Sequence, residues 1–213
     1  MKNSYSQLFV IFIILSGLTF VSCKKEENEI TSKAGLIPLK AGNSWSYKIY
    51  RSDIVVDTLV LTIGDYITFN GYQGFKFISG VYPFHEIFMA DNDKDGNFVS
   101  MGGYSDKDTL LASSIKYKRG AVKGDSWKYD EIWVNSDGTF EKANIDVFCV
   151  NVDTTITTSV GNFKCKVYKW SPDSGADMFY DYLSENTGII KSEHFEGTHL
   201  FSYQVLFEYN IDK

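Results

Sequence analysis

Apolar and polar residues alternate along most of this chain. Leu59, Leu61 and Ile63 fall on one side of a strand, and Thr58, Val60 and Thr62 on the other. Near the C-terminus Phe201, Tyr203, Val205, Phe207 and Tyr209 alternate with Ser202, Gln204, Leu206, Glu208 and Asn210. A period of two describes a pleated strand with one face on a core and the other largely wet. No long stretch repeats apolar residues at the helical spacing i, i+3, i+4, i+7. Gly, Asn and Asp punctuate the runs at hairpin distances. The pattern predicts an all-β fold over residues 36–213: a single, strongly curved antiparallel sheet, half-barrel or barrel, of roughly 8–11 strands.

The pattern also echoes itself. Gly42-Asn43-Ser44-Trp45-Ser46-Tyr47 returns as Gly124-Asp125-Ser126-Trp127-Lys128-Tyr129, a glycine turn launching a strand with Trp and Tyr two residues apart. Asn70-Gly71 before Tyr72–Phe77 is matched by Gly161 before Asn162–Val167, and each is followed by a hairpin and a further strand. Either a duplication of two halves or a shared preference for such hairpin starts accounts for this.

One stretch breaks the alternation. Lys2 precedes the run Leu8–Leu15 (LFVIFIIL), which ends in the smaller residues before Cys23. The run is shorter than the roughly 20 apolar residues a membrane span needs, and it reads as an export signal over 1–22. Phe20-Val21-Ser22-Cys23 resembles the lipobox of bacterial lipoproteins, although Phe20 stands where Leu is usual. That resemblance implies cleavage before Cys23, lipid on its thiol, and a membrane anchor. Residues 23–35 then form a polar tether. Its Lys24-Lys25-Glu26-Glu27 is similar to the surface-export signal of Bacteroidetes lipoproteins. Pro38-Leu39-Lys40-Ala41-Gly42-Asn43-Ser44-Trp45, with Gly161-Asn162-Phe163-Lys164-Cys165 and Gly188–Lys191, also resembles uncharacterised lipoproteins of that group. Their pattern is similar to curved sheets of the lipoprotein-carrier type, which enclose an apolar cavity. The resemblance implies an outer-membrane, lipid-anchored protein, surface-exposed or facing the periplasm.

Composition narrows the partners. The chain has a net charge of −6 and no interleaved basic and aromatic patch, which argues against nucleic acid. The sequence carries no Gly-x-Ser-x-Gly elbow, His-Glu-x-x-His, phosphate loop or Gly-x-Gly-x-x-Gly, so none of those chemistries is expected.

Four groups of residues are candidate sites. Asp91, Asp93, Asp95 and Asn97, with Gly96, match the front of a calcium loop. Gly102 stands where the bidentate Glu belongs, so a solvated hairpin turn is the stronger reading and no cofactor is expected. Cys149 and Cys165 are a candidate disulfide, or two buried thiols. Trp45, Trp127 and Trp133 could stack on a ligand, although aromatic stripes on strands more often belong to a core. Of His85, His194 and His199, the last two would face opposite sides of one strand, with His194 in a solvated turn beside Glu193 and Glu196.

These features favour a non-enzymatic, membrane-anchored binding or scaffold module for a small apolar ligand, a glycan or a protein partner. An envelope or polysaccharide hydrolase with an unrecognised carboxylate pair is the second reading, and a calcium-stabilised adhesion module the third. Paired carboxylates on the concave face would favour the hydrolase.

Overall fold

The computed structural model describes residues 35–79, 87–104 and 108–212, apart from 136, 138, 174 and 176. The signal sequence, Cys23 and His85 lie outside the described residues. Twelve strands form one antiparallel sheet, and the described residues contain no helix. The first six are β1 (Ser44–Arg51), β2 (Ile54–Phe69), β3 (Tyr72–Ser79), β4 (Ile87–Asn92), β5 (Phe98–Tyr104) and β6 (Thr109–Tyr117). The second six are β7 (Ser126–Val134), β8 (Phe140–Thr158), β9 (Gly161–Pro172), β10 (Asp177–Ser184), β11 (Gly188–Glu196) and β12 (His199–Asn210).

Every strand pairs with its neighbour in sequence except at one seam, and β1 also pairs with β12. The sheet therefore begins at β6 and ends at β7, and these two strands face each other across the seam of a nearly closed barrel. The seam is crossed by side chains instead of a backbone ladder. Trp127 Nε1 donates to the Ile115 carbonyl at 3.1 Å, the Asp130 amide donates to Ser114 Oγ at 3.0 Å, and Lys116 pairs with Glu131 at 2.5 Å. Twelve strands exceed the eight to eleven expected. β5 and β6 carry no clear alternation, because Gly102 at φ 91° and a register shift between Ser100 and Gly102 interrupt their pairing.

The echo is a real internal symmetry. Gly42 donates to the Ile63 carbonyl at 2.8 Å and Ile63 donates back to Asn43 at 2.8 Å. Gly124 donates to the Cys149 carbonyl at 2.8 Å and Cys149 donates back to Asp125 at 2.9 Å. Each glycine has positive φ, 92° and 99°. Each half is thus a six-stranded meander that opens on the same glycine turn, and each has an unusually long second strand, β2 or β8.

Because odd-numbered strands run the same way, the segments entering β1 and β7 lie at one end of the barrel, and both plug it. Leu36, Ile37 and Leu39 of the first, and Ala121 of the second, are buried in the core. Asn92 Nδ2 donates to the Ile37 carbonyl at 2.9 Å, Tyr168 Oη donates to the Lys118 carbonyl at 2.9 Å, and Lys166 Nζ donates to the Ala121 carbonyl at 3.0 Å. The strands and the core cluster all fall between Leu36 and Ile211, so this stretch carries its own core.

An added Cβ at Gly42 or Gly124 would meet no atom within 4 Å, so a substitution there tests backbone conformation alone. Gly42→Ala and Gly124→Ala should each lower the unfolding free energy by about 1–2 kcal/mol in urea melts. Gly120→Ala is the control, equally open but without the positive φ, and should leave the midpoint unchanged.

Candidate functional site

Eight strands close into a barrel that side chains can just fill, and twelve leave more room. The barrel holds a cavity of about 390 Å³, partly open to solvent, and a smaller one of about 180 Å³. Lys116, Tyr117 and Ile189 belong to the walls of both, so they stand at the junction of two chambers.

The face that β12 turns inward is the one its pattern marks as polar. Leu206 is fully buried opposite Tyr47, and Gln204 and Ser202 follow it at two-residue steps into the larger cavity. They pair with Ser192 and His194 of β11, which line the same cavity. Phe207 and Tyr203 alternate with these residues, Lys48 lying over the Phe207 ring and Lys191 over the Tyr203 ring, and Tyr203 reaches the rim of the same cavity.

Among the described residues the most buried charged side chain is Asp181, 4% exposed. Its Oδ2 accepts from Tyr117 Oη at 2.5 Å and from Trp170 Nε1 at 2.6 Å, and its Oδ1 accepts from Ser192 Oγ at 2.5 Å. A buried carboxylate is tolerable only when hydrogen-bonded, and these three donors come from β6, β9 and β11. The symmetry shows what the fold would otherwise hold there. Ile63 and Cys149 are equivalent, they pair with Phe77 and Tyr168, and those pair with Phe88 and Asp181. The first half therefore keeps a phenylalanine where the second half has a carboxylate.

Beside this node, Lys116 is enclosed by aromatic rings. Its Nζ lies 5.2 Å from the Trp170 centroid, 5.5 Å from Tyr129 and 5.8 Å from Tyr117, a cation–π cage. Glu131 completes it, accepting from Lys116 and from Tyr129 Oη in a short contact. Further along the wall Trp170 stacks on Phe179 at 3.9 Å and Phe179 on His194 at 4.4 Å. His194 Nε2 pairs with Asp177 Oδ1 at 3.2 Å. It is therefore part of the cavity wall, not of a solvated turn. Gly197 at φ 62° also separates His194 and His199 onto different strands, β11 and β12.

The other sequence candidates are dispersed. Trp45 is buried, donates to the Thr187 carbonyl at 2.6 Å, and lines the smaller cavity. Trp127 sits at the seam and Trp133 packs against the core, and neither lines these two cavities. The three tryptophans form no common platform.

Asp91, Asp93, Asp95 and Asn97 form the β4–β5 turn. Asp93 Oδ1 accepts from the amides of Asp95 at 2.8 Å and Asn97 at 3.0 Å, and its Oδ2 accepts from Asn97 Nδ2 at 2.8 Å. Burial pulls the other way, but these hydrogen bonds hold the Asp93 carboxyl below its ordinary value. Among the described residues no group of three or more His, Cys, Asp or Glu side chains is placed to hold a metal.

Cys149 and Cys165 are free, buried thiols, which corrects the disulfide expectation. Cys149 lies opposite Tyr168, and Cys165 is three positions from Tyr168 along β9, an odd step that turns it to the other face. Burial pushes the Cys165 thiol up to about 12.

Asp181, Lys116 and Gln204 were not among the sequence candidates. A usable signal existed for Asp181, a lone charge between Phe179 and Leu183 on one face of an aromatic strand.

No protein-family model matches the chain, and no curated protein matches it. A solved structure from Bacteroides fragilis NCTC 9343, described as an exported protein with a YmcC-like fold, is similar at 16% identity, with a TM-score of 0.46 over 84% of this chain and 100% of that one. A second, described as a lipoprotein of Parabacteroides distasonis ATCC 8503, is also 16% identical, with a TM-score of 0.42 over 83% of this chain and 99% of that one.

Burial, followed by the nearby Asp181 carboxylate, raises Tyr47 and Tyr117 well above the ordinary tyrosine value, and burial with Glu131 does the same for Tyr129. In the unfolded chain these phenols titrate near 10, whereas in the fold they keep their protons. Their stabilisation is therefore complete below pH ~10 and is lost as the pH rises beyond it, at about 1.4 kcal/mol per pH unit for each tyrosine. Urea melts between pH 8 and 12 should show this alkaline loss, and Tyr129→Phe should make its slope shallower.

Proposed function

We propose that the chain is a lipid-anchored binding protein of the bacterial cell envelope, held at the outer membrane through Cys23, whose barrel lumen takes a small molecule. The anchor rests on the apolar run Leu8–Leu15 and the lipobox-like Phe20–Cys23. The binding role rests on one observation, the interior cavity of about 390 Å³, which falls within the roughly 300–1,000 Å³ common for ligand pockets. Its wall combines apolar surface with a few convergent polar groups, as small-molecule sites do.

The carboxylates in or beside the cavity wall, Asp181, Glu193 and Glu131, are what a hydrolase would use. Each is already engaged: Asp181 holds three donors, Glu131 holds Lys116 and Tyr129, and Glu193 holds Lys191 and Tyr182. To act as acid and base these carboxylates would have to give up protein donors that hold the wall together, so binding is the better reading.

Native mass spectrometry of Lys24–Lys213 purified from a periplasm tests the proposal. One small-molecule mass retained by the folded chain and released on unfolding is expected. A bare chain mass in every charge state would contradict a lumen that is loaded in the cell.

A further inference from the structure

If the lumen is the binding site, the groups on its wall that still lack partners define its ligand. The charged groups do not lack them. Lys116 is held by Glu131 at 2.5 Å, Glu193 by Lys191 at 2.6 Å, His194 faces Asp177 at 3.2 Å, and Asp181 has its three neutral donors. An anionic ligand would face the Asp181 carboxylate, and a cation would find that carboxylate only 4% exposed and turned to its three donors, so either ion would lose hydration without a free partner.

What remains unpaired is neutral. Gln204 and Ser202 line the larger cavity two residues apart on β12, and among the described residues neither side chain forms a hydrogen bond with the protein. Ile49, Ile189 and Phe179 provide apolar wall in the same chamber. The adjoining smaller chamber adds Leu61, Phe77 and Phe98. Its polar atoms are already committed, Trp45 Nε1 to the Thr187 carbonyl at 2.6 Å and Tyr47 Oη to the Ile189 carbonyl at 3.0 Å.

We infer that the lumen ligand is an uncharged, largely apolar small molecule with a hydroxyl or carbonyl group. That group pairs with Gln204, whose amide both donates and accepts, while the apolar body lies along Ile49 and Ile189 toward the Trp45 chamber. This inference rests on the lumen-binding reading and adds the ligand class to it.

The test uses Lys24–Lys213, which contains every strand and the whole core, with the uncharged fluorophore N-phenyl-1-naphthylamine as probe. The probe is displaced in turn by 1-decanol, decanoate and decylammonium. 1-Decanol should displace it at a concentration about ten-fold lower than either ion. Gln204→Leu should weaken 1-decanol about five-fold, the worth of one hydrogen bond of roughly 1 kcal/mol. Ile49→Trp, which fills the chamber, should abolish probe binding while the β circular-dichroism spectrum is retained. If an ion competes as well as the alcohol and Ile49→Trp still blocks binding, the lumen stands as the site but the uncharged ligand class is wrong. If Gln204→Leu leaves 1-decanol unchanged, the assigned polar contact is overturned. If probe binding survives Ile49→Trp, the lumen reading falls together with this inference.

Discussion

A meander of twelve strands has two free edges, and this fold depends on joining them without a backbone ladder. β6 and β7 meet through Trp127, Asp130 and the Lys116–Glu131 pair, all side-chain contacts. Unpaired edges invite association with other chains, so closing them also removes that liability. The Asp181 node reinforces the closure from inside, because Tyr117 of β6 reaches a carboxylate carried by β10. Trp170 and Ser192 bind the same carboxylate from β9 and β11. Four strands thus converge on one side chain, and the Tyr117 contact ties the β6 edge to the ladder of β9, β10 and β11.

The internal symmetry separates what the fold requires from what it merely permits. Both halves keep the glycine turn, the Trp-x-Tyr start and the long second strand. They part at the position where the first half has Phe88 and the second has Asp181. A phenylalanine there satisfies a barrel core without further provision. A carboxylate needs three aligned donors, and each such bond returns only about 1 kcal/mol net. The polar set is therefore not explained by folding alone, and it lies against the larger cavity with Lys116 and its aromatic cage.

Much of the architecture was legible in the sequence. The period-two runs marked an antiparallel sheet, and Gly42 and Gly124 marked a repeat that the hydrogen bonds at Ile63 and Cys149 bear out. The site was less legible, for a physical reason. Alternation along β12 shows that Ser202 and Gln204 oppose Tyr203 and Val205, but not which row faces inward. In a small barrel the apolar row goes inside; a wide barrel with a lumen can reverse this. The positions of Cys149 and Cys165 depended likewise on the β8–β9 register, with its shifts between Cys149 and Thr154, which no local pattern encodes. Lys116 and Glu131 meet only because the sheet closes on itself.

The outer surface also carries apolar side chains, including Ile54, Val55 and Val56 at the β1–β2 hairpin, so affinity for an apolar probe does not by itself locate its site. The most direct measurement is a crystal structure of Lys24–Lys213 with bound N-phenyl-1-naphthylamine. The naphthyl rings should lie inside the barrel, in contact with Ile49 and Ile189 and next to Gln204. Rings resting on the Ile54–Val56 hairpin, with the lumen holding only water, would contradict the lumen reading.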